Sequence, residues 1–313
     1  MSSVPVLDAA AVYRAVSPER AVEAVRDAFV AHARGEWSMP PKVYVTNYPA
    51  GDFRAMPALG GGYALLKWIT SFPGNPAHGL PTVTGVVLVS DAANGQLRAV
   101  LDAASVTALR TGAAAVLAGE VLGRADAKTA SVVGVGVNGQ AAARTFLAQG
   151  RAVALWDVDS ERARSVAAEL GAEVAGSLDE ALAADLLVTV TPGHSVLLGD
   201  GTLRPGQHVS LMGADGPGKA EATDGELQRA RLYCDDWEQA SHGGELAHAV
   251  ESGVVTRADV TAIGDVLAGT APGRESDDEI TMFDSTGLAI QDLAIAIAAI
   301  AAVGDMDLPR LSL

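Results

Sequence analysis

The sequence predicts an α/β protein in which a Rossmann-type, doubly wound parallel sheet follows an α+β domain. Short β-rich runs broken by Gly, Pro, Asn and Asp fill residues 39–101, as in an antiparallel sheet. From about residue 120 onwards, strand and helix patterns alternate with short loops, which indicates a parallel sheet covered on both faces. We therefore predict a first domain over 1–117, joined by a C-terminal helix within 288–313, and a dinucleotide-binding domain over 118–287.

Composition restricts the class of protein. The chain has 313 residues, 49% of them hydrophobic, which is enough for two domains with sizeable cores. Its formal net charge of −16 argues against nucleic acid and anionic membrane surfaces as partners, because phosphate binding needs a face rich in Lys and Arg. Cys234 is the single cysteine, so no internal disulfide can form, and no Cys/His spacing resembles a zinc site. The N-terminal stretch lacks a signal-peptide pattern, and the most apolar run, 293–303, is too short to cross a bilayer. We expect a cytoplasmic protein that binds no metal.

The first domain begins with a helix and continues as a sheet. Ser17 and Pro18 predict the helix start, with Ser as N-cap and Pro in the first turn, and Gly35 ends the helix. The run at 91–96 contains Asn-Gly, which is a hairpin signal. Residues 103–122 are rich in Ala and predict a long helix that closes this half of the chain.

The second half alternates strands and helices. KTASVVGVG predicts a buried strand, NGQAAARTFLAQG a helix ending at Gly150, AVALWDVD a second strand and SERARSVAAELG a second helix. The segments SLDEALAA, DLLVTVTP, HVSLMGADG, ELQRARLYCDD and VTAIGDVLAG continue the alternation. The final helix, 287–303, is apolar on nearly all sides, so it must be buried against the first domain or a partner subunit.

A glycine-rich loop opens the second domain. Gly134, Gly136 and Gly139 form G-x-G-x-x-G between a strand and a helix, the spacing of a loop that holds a dinucleotide pyrophosphate at a helix N-terminus. Asp157 ends the next strand, where a carboxylate accepts hydrogen bonds from the adenosine ribose and repels a 2′-phosphate. The sequence therefore favours NAD over NADP as cofactor. Ordinary turn glycines and a surface aspartate are the alternative interpretation.

Charged side chains point to a substrate site. Lys42, Arg54, Lys67 and Arg110 each lie inside an apolar or β-like run of the first domain. Taken singly, each could be an edge residue with its charge in water. Together they suggest a site for a substrate carboxylate, and a lysine buried beside other cations can exchange protons near neutral pH. Asp215 follows a late strand, at the sheet edge where open α/β folds bind ligands, although a tight Asp-Gly-Pro-Gly turn explains it equally well.

Eight segments, in order, resemble the ornithine cyclodeaminase/mu-crystallin family and most of all its NAD-dependent alanine dehydrogenase branch: MPPKVYV, GDFRAMPA, GYALLKW, GLPTVTG, SVTALRTGAA, GADGPGK, DDWEQASHGGEL and GRESDDEITMFDSTGLAIQD. The resemblance covers about residues 10–303. It implies a homodimer whose N-terminal sheets pair across the two-fold axis, with the final helix returning to that domain. It also implies that the first domain binds an amino-acid or 2-oxo-acid substrate.

The resemblance implies roles for individual residues. Lys67 matches the active-site lysine that donates and accepts protons and contacts the substrate carboxylate, and Asp215 matches the acid that acts on the water or amine. Lys42 and Arg54 match substrate-binding positions of the alanine dehydrogenase branch, and Arg110 matches a residue that binds the pyrophosphate. The full set of expected cofactor-binding residues is Thr82, Arg110, Thr111, Gly134, Gly136, Asn138, Gly139, Asp157, Thr189, Met212, Lys219 and Ser285.

We therefore predict an NAD-dependent amino-acid dehydrogenase that converts L-alanine, NAD and water to pyruvate, ammonia and NADH. Three alternatives stay open: an ornithine or lysine cyclodeaminase, in which the distal amine of the substrate attacks the imine; an NAD(P)H-dependent reductase of cyclic ketimines such as pyrroline-2-carboxylate; and a non-catalytic binding protein. Lys42 stands where cyclodeaminases carry Arg, which favours the dehydrogenase. The presence of Lys67 and Asp215 argues against the binding protein.

Overall fold

The computed structural model describes residues 3–193, 195–214, 216, 218–304 and 306–312. The chain divides into two compact units, Met1–Arg110 with Leu288–Leu313, and Thr111–Gly287. The first division falls inside one continuous helix, Ala103–Leu122, seven residues before the boundary predicted from the sequence, which follows residue 117. A boundary within a helix leaves no linker, so no shift in composition marks its position.

From residue 17 onwards, the elements of the first part of the chain follow the predicted pattern, whereas a strand and a helix that were not predicted precede them. In chain order they are β1 (Ser3–Leu7), α1 (Ala9–Ala15), α2 (Pro18–Ala33), β2 (Val43–Asn47), β3 (Gly51–Gly60), β4 (Tyr63–Ser71), β5 (Val83–Asp91), β6 (Leu97–Asp102) and α3 (Ala103–Leu122). The Oγ atom of Ser17 accepts a hydrogen bond from the N–H of Arg20 and caps α2, as predicted. Gly35, with a φ of +73°, follows the end of that helix.

The second part alternates strands and helices, also as predicted. The elements are β7 (Ala130–Val133), α4 (Val137–Ala148), β8 (Val153–Trp156), α5 (Ser160–Leu170), β9 (Glu173–Val174), α6 (Leu178–Leu182), β10 (Leu186–Thr189), β11 (His208–Leu211), α7 (Asp224–Arg229), β12 (Arg231–Cys234), α8 (Trp237–Gly243), α9 (Ala247–Glu251), β13 (Val260–Ala262), α10 (Ile263–Leu267), β14 (Thr281–Asp284), α11 (Ala289–Ala302) and β15 (Arg310–Ser312). The sequence pattern predicted no strand at β1, β9, β14 or β15.

The first unit is built on a seven-stranded sheet in the order β15-β1-β6-β5-β4-β3-β2. Strands β2 to β6 pair antiparallel, β1 joins β6 in parallel, and β15 pairs antiparallel with β1. Because side chains alternate between the faces of a sheet, Leu65, Lys67 and Ile69 of β4 are buried, whereas Leu66 and Trp68 are exposed. The final helix, α11, packs against α2, β3 and β4 of this unit.

The second unit contains an eight-stranded sheet in the order β13-β12-β14-β11-β10-β7-β8-β9, and every pair in it is parallel. The chain winds outwards from β7 through β8 to β9, and then returns to start again at β10 on the other side of β7. The order thus reverses between β7 and β10, and open sheets of this kind bind ligands at the carboxyl ends of the strands at such a point. The predicted doubly wound fold is confirmed.

Helix α3 is apolar and tightly packed. By length and composition it could cross a membrane, but 83% of its most apolar window is buried inside the protein. Buried core helices pass the same test, so α3 is no sign of a membrane span. Gly112 lies where a Cβ atom would come within 2.6 Å of the carbonyl carbon of Ala141, so α3 and α4 approach closely at this glycine.

Candidate active site

Lys67 lies at the centre of β4, on the face of the first sheet that α11 covers. Its side chain is only 1% exposed. The Nζ atom lies 2.6 Å from Oδ2 of Asp292 in α11 and donates a hydrogen bond of 3.2 Å to Oγ1 of Thr107 in α3. A buried ammonium group needs such partners, because removing it from water is otherwise very costly. The two contacts fix the amine at one point on this face of the sheet.

Asp292 also faces a second cation. Its Oδ1 atom lies 3.6 Å from Nε of Arg110, and the carboxylate is fully buried. One buried carboxylate therefore stands between two cationic groups, which leaves an excess of positive charge among the three side chains. This excess suits the binding of an anionic group such as a substrate carboxylate.

The surroundings of Lys67 lower the pKa of its amine from its usual value near 10.5 to about 8. Burial is the main cause, since a charged amine loses its hydration in the interior. The charge of Asp292 and its hydrogen bond oppose this effect, whereas the positive charges of Arg110 and Lys42 add to it. Both forms of the amine are therefore present near pH 8, which is the condition for efficient proton exchange.

Arg54 and Lys42 belong to the same region of the first unit. Arg54 lies on β3 two residues before Met56, which pairs directly with Lys67, so Arg54 and Lys67 share one face of the sheet. Its Nε atom lies 2.6 Å from Oδ1 of Asp52. Lys42 is half-buried just before β2, near enough to Lys67 to lower the pKa of its amine.

Thr82 is placed differently from the other predicted residues of the first unit. It immediately precedes β5, whose first residue, Val83, pairs with Ser71 at the end of β4. Ser71 is four residues from Lys67, which corresponds to about 13 Å along a strand. Thr82 therefore lies further along the sheet and outside the cluster formed by Lys42, Lys67, Arg110 and Asp292.

The glycine loop has the geometry that a dinucleotide site needs. Gly134 has a φ of +93°, and a Cβ atom there would lie 2.8 Å from the carbonyl oxygen of Val190. A Cβ atom on Gly139 would collide with the carbonyl oxygen of Gly134. Gly136, by contrast, is the N-cap of α4 without a side-chain cap, and a Cβ atom on it would meet nothing within 4 Å. Packing requires the first and third glycines, and the second leaves open space before the helix N-terminus.

Asp157 lies directly beyond β8, beside this loop. Its Oδ2 atom accepts a hydrogen bond of 2.9 Å from the N–H of Val135, and its Oδ1 atom accepts one of 2.9 Å from the N–H of Asp159. Arg162 Nη1 lies 3.5 Å from the same Oδ2. The carboxylate is thus fixed next to the glycine loop, and the residues present fit a dinucleotide whose ribose carries no 2′-phosphate.

Three more predicted residues follow the carboxyl ends of neighbouring strands. Thr189 is the last residue of β10, Met212 follows β11, and Ser285 follows β14. Thr189 Oγ1 donates to Oε2 of Glu221 at 2.7 Å. Of the other predicted residues, Thr111 is buried in α3, Asn138 lies in the first turn of α4, and Lys219 is half-buried in the loop before α7. Asp215 lies outside the described residues.

Several buried acids that contact predicted site residues were not predicted from the sequence. Asp52 contacts Arg54, and Asp235 accepts a hydrogen bond from Ser285. Asp292 contacts Lys67 and Arg110, and Glu221 contacts Thr189. A signal for Asp292 was available, since it is an acid within a helix that is otherwise almost wholly apolar, and such an acid requires a cation. Among the residues that the structure describes, no group of three or more His, Cys, Asp or Glu side chains could hold a metal ion.

Comparison with known proteins identifies the family. The model of the ornithine cyclodeaminase/mu-crystallin family matches residues 4–302. The chain belongs to this family. Among its relatives, the alanine dehydrogenase of Archaeoglobus fulgidus is 42% identical over 288 residues, which cover 90% of this chain and 89% of that protein. The predicted family is therefore confirmed.

Solved structures of family members agree with the fold. An archaeal alanine dehydrogenase dimer with bound NAD is similar to this chain with a TM-score of 0.94 and 38% sequence identity, and each chain is covered in full. The iminosuccinate reductase of Paracoccus denitrificans, in complex with NAD⁺, gives a TM-score of 0.91 and 28% identity, again with full coverage of both chains. These similarities confirm the predicted fold class.

Proposed function

We propose that the protein is an NAD-dependent amino-acid dehydrogenase that converts L-alanine, NAD⁺ and water into pyruvate, ammonium, NADH and a proton. The observation that carries the proposal is the buried amine of Lys67, which lies 2.6 Å from Asp292 and has a pKa lowered to about 8. An amine in this state can take up and release a proton near neutral pH. The choice of alanine follows the 42% identity to an alanine dehydrogenase.

NAD is the cofactor. Two solved relatives are described with NAD bound, and in this chain the Asp157 carboxylate lies where it would repel a 2′-phosphate. The open space at Gly136 and the uncapped N-terminus of α4 would hold the pyrophosphate. When bound, NAD would serve as the acceptor of the hydride that leaves the α-carbon of the substrate.

The side chains of the first unit would bind the substrate and move protons. Lys42 and Arg54 hold the substrate carboxylate. Hydride transfer requires the neutral amine of the substrate, and the proton that its ammonium group has lost is the one released in the overall reaction. The neutral amine of Lys67 then accepts a proton from the water that adds to the iminium carbon and returns it to the substrate nitrogen, and the departing ammonia takes the hydroxyl proton and leaves as ammonium. Asp292 and Thr107 keep Nζ in place during this exchange. Asp215 keeps the role that the family resemblance implies, as a second acid acting on the water or the amine.

The same unit offers a surface for a homodimer. Val43 pairs with Ala55, Ala55 with Trp68 and Trp68 with Val86, so these four side chains form one row across β2 to β5. Val43 is 58% exposed, Trp68 38% and Val86 42%. A contiguous exposed apolar row of this kind marks an interaction surface. Its proposed occupant is a second copy of this chain, as in the relative described as a dimer.

The test is turnover with a panel of substrates. The protein is incubated with NAD⁺ and individual amino acids, NADH formation is followed by absorbance, and the products are identified. We expect NADH and pyruvate in equal amounts with L-alanine, no NADH with a Lys67→Ala variant, and unchanged rates with Lys128→Ala, because Lys128 is an exposed lysine. Full turnover by the Lys67→Ala variant would remove Lys67 from its role.

Other outcomes of the same panel favour the alternatives. Formation of proline or pipecolate from ornithine or lysine without net NADH would identify a cyclodeaminase. Consumption of NADH or NADPH with cyclic ketimines, and no reaction with alanine, would identify a reductase. Either result would overturn the alanine dehydrogenase assignment.

A further inference from the structure

Glu221 is a fully buried carboxylate in the segment between β11 and α7. It accepts four hydrogen bonds. Oε2 accepts from Oγ1 of Thr189 at 2.7 Å and from the N–H of Gly213 at 3.2 Å. Oε1 accepts from the N–H and from Oγ1 of Thr191, at 3.0 and 2.6 Å. One carboxylate therefore connects the ends of two adjacent strands, β10 and β11.

The hydrogen bonds from Thr189 and Thr191 to Glu221 hold Val190, the residue against which the glycine loop packs. Thr189 and Thr191 flank Val190, and both are held by Glu221. A Cβ atom on Gly134 would lie 2.8 Å from the carbonyl oxygen of Val190, and one on Gly139 would lie 3.1 Å from its side chain. The glycine loop thus packs directly on the residue that Glu221 fixes from both sides, and a shift of Val190 would move the loop.

The remaining donor belongs to a second cofactor segment. Gly213 follows Met212, and a Cβ atom on Gly213 would lie 2.6 Å from the carboxyl carbon of Glu221. Only a glycine allows this approach. In the segment after β10, Gly193 lies where a Cβ atom would come 3.0 Å from Cβ of Lys219. The strand ends, the loop at Gly213 and Lys219 therefore form one packed layer around Glu221.

Glu221 is itself held in place by a second buried acid. The N–H of Glu221 donates to both carboxylate oxygens of Glu245, at 2.8 and 3.0 Å, and the N–H of Ala222 donates to Oε1 at 2.6 Å. The carbonyl oxygen of Glu221 accepts from the N–H groups of Leu197 and Leu198. The backbone at 221–222 is consequently anchored on both sides, which gives the carboxylate a defined direction.

We propose that Glu221 is a positioning residue for the dinucleotide site, which holds Val190, and through it the glycine loop, together with Gly213 in the arrangement that binds NAD. This inference rests on the proposed function only in assigning NAD to this sheet edge. Glu221 touches no cofactor atom in this role. It acts through Thr189, Thr191 and Gly213, and Glu245 orients it.

The role requires a carboxylate and not merely a polar side chain. Four donors converge on two oxygens, and a carboxylate has only acceptor sites. In a Glu221→Gln variant the amide NH₂ must replace one of the oxygens, whichever way the amide turns. It then faces the backbone N–H of Gly213 or of Thr191, and a backbone N–H cannot reverse its polarity as a hydroxyl can. One buried N–H is left without an acceptor, and this cost favours a displacement of the segment that carries it.

The experiment measures NAD affinity of the full-length protein by calorimetric titration, without substrate. Glu226→Gln is the matched control. Glu226 is also fully buried and accepts from the backbone N–H groups of Gly201 and Leu203 and from Nη1 of Arg229, and all three donors lie outside the segments that Glu221 holds. Thr191→Val is a milder variant that removes the hydroxyl which donates to Glu221 and accepts, at 3.3 Å, from the N–H of Gly193, and it provides the test if Glu221→Gln does not fold.

We expect Glu221→Gln to weaken NAD binding by about tenfold or more, the loss that corresponds to about 1.4 kcal/mol. Thr191→Val should weaken it by a smaller factor, and Glu226→Gln should lower the melting temperature without changing the affinity. Hydrogen exchange should rise at the amides of Thr191 and Gly213 in Glu221→Gln. Wild-type NAD affinity in Glu221→Gln, or in Thr191→Val if the first variant does not fold, would overturn the inference. Because no substrate is present, failure of the alanine assignment would leave this result unaffected.

Discussion

At the scale of single residues, Lys67 meets two opposing demands. Burial favours the neutral amine, and the neighbouring carboxylate of Asp292 favours the charged one. The balance puts the pKa at about 8. Burial without Asp292 would leave an amine that is a weak base, and Asp292 without burial would leave one that seldom loses its proton. Burial and the contact with Asp292 together therefore determine the pKa of Lys67.

Replacing Lys67 with arginine tests whether proton exchange or charge is essential. Arginine retains the positive charge but cannot lose a proton in this pH range. We expect Lys67→Arg to lower kcat by about 100-fold or more, the scale of a lost general base. NAD affinity should be unchanged. The wild-type rate should rise with pH and level off above about 8, because the neutral amine is the active form. A variant with the wild-type kcat and the same pH profile would contradict the role of Lys67.

Asp292 is expected to set the pH range of activity. Its charge and hydrogen bond raise the pKa of Lys67, so Asp292→Asn should let that pKa fall below about 8. The rise of kcat/KM with pH should then move to lower pH. The exposed Asp27 of α2 provides a control, and Asp27→Asn should leave the profile in place. A shift to higher pH in Asp292→Asn, or no shift, would argue against this assignment.

At the scale of elements, two glycines at the start of α4 have different roles: Gly139 is required for packing, and Gly136 leaves space for binding. Gly139 touches Gly134 across the loop, whereas Gly136 faces open space with an ordinary φ of −66°. Alanine therefore fits sterically at position 136 in the unliganded protein and does not fit at position 139. A glycine-to-alanine substitution at position 139 should therefore disturb the packing of the loop, and the same substitution at position 136 should not.

We expect Gly136→Ala to keep the wild-type melting temperature but to lose about tenfold or more in NAD affinity, because its methyl group enters the space that the pyrophosphate needs. Gly139→Ala should lose both stability and affinity. Thermal unfolding and NAD titration of the two variants check this. Unchanged NAD binding by Gly136→Ala would show that the pyrophosphate does not approach the backbone there.

The sequence predicted those elements whose pattern is local. The cap at Ser17, the long helix Ala103–Leu122 and the strand–loop–helix unit around Gly134 each carry their signal within a few residues. Strands β14 and β15 carry no such local signal. β14 has four residues and lies between β11 and β12, and β15 has three residues and pairs with β1, about 300 residues away in sequence. Their strand conformation depends on partners that no local pattern reveals.

The sequence likewise indicated some residues of the candidate site and not others. Lys67 and Arg110 were found because a cation in an apolar run stands out. Glu221 was missed because the polar sequence GKAEATDGE predicts an exposed loop. The burial of Glu221 depends on the ends of β10 and β11, which are distant in sequence from each other. The partners of Asp292 lie about 180 and 225 residues away in sequence, so spacing could not connect them.

At the scale of the whole molecule, the exposed row on the first sheet should determine the oligomeric state. Trp68→Glu places a charge at the centre of that row, and we expect the variant to sediment as a monomer while the wild-type protein sediments as a dimer. Val174 is also exposed but lies on β9, at the edge of the other sheet, so Val174→Glu should remain dimeric. A dimeric Trp68→Glu variant would place the interface elsewhere.

The first unit is discontinuous in sequence, and this affects how the protein is made. Residues 111–287 emerge from the ribosome as one continuous unit and can fold during synthesis. Lys67 is synthesised much earlier than Asp292, which arrives only with α11. Until then, the amine of Lys67 has no carboxylate partner, and the first sheet lacks the helix α11 that packs on β3 and β4. We therefore expect the unit of residues 111–287 to be complete before the first unit, and chaperone contacts to concentrate on the incompletely covered first sheet in that interval.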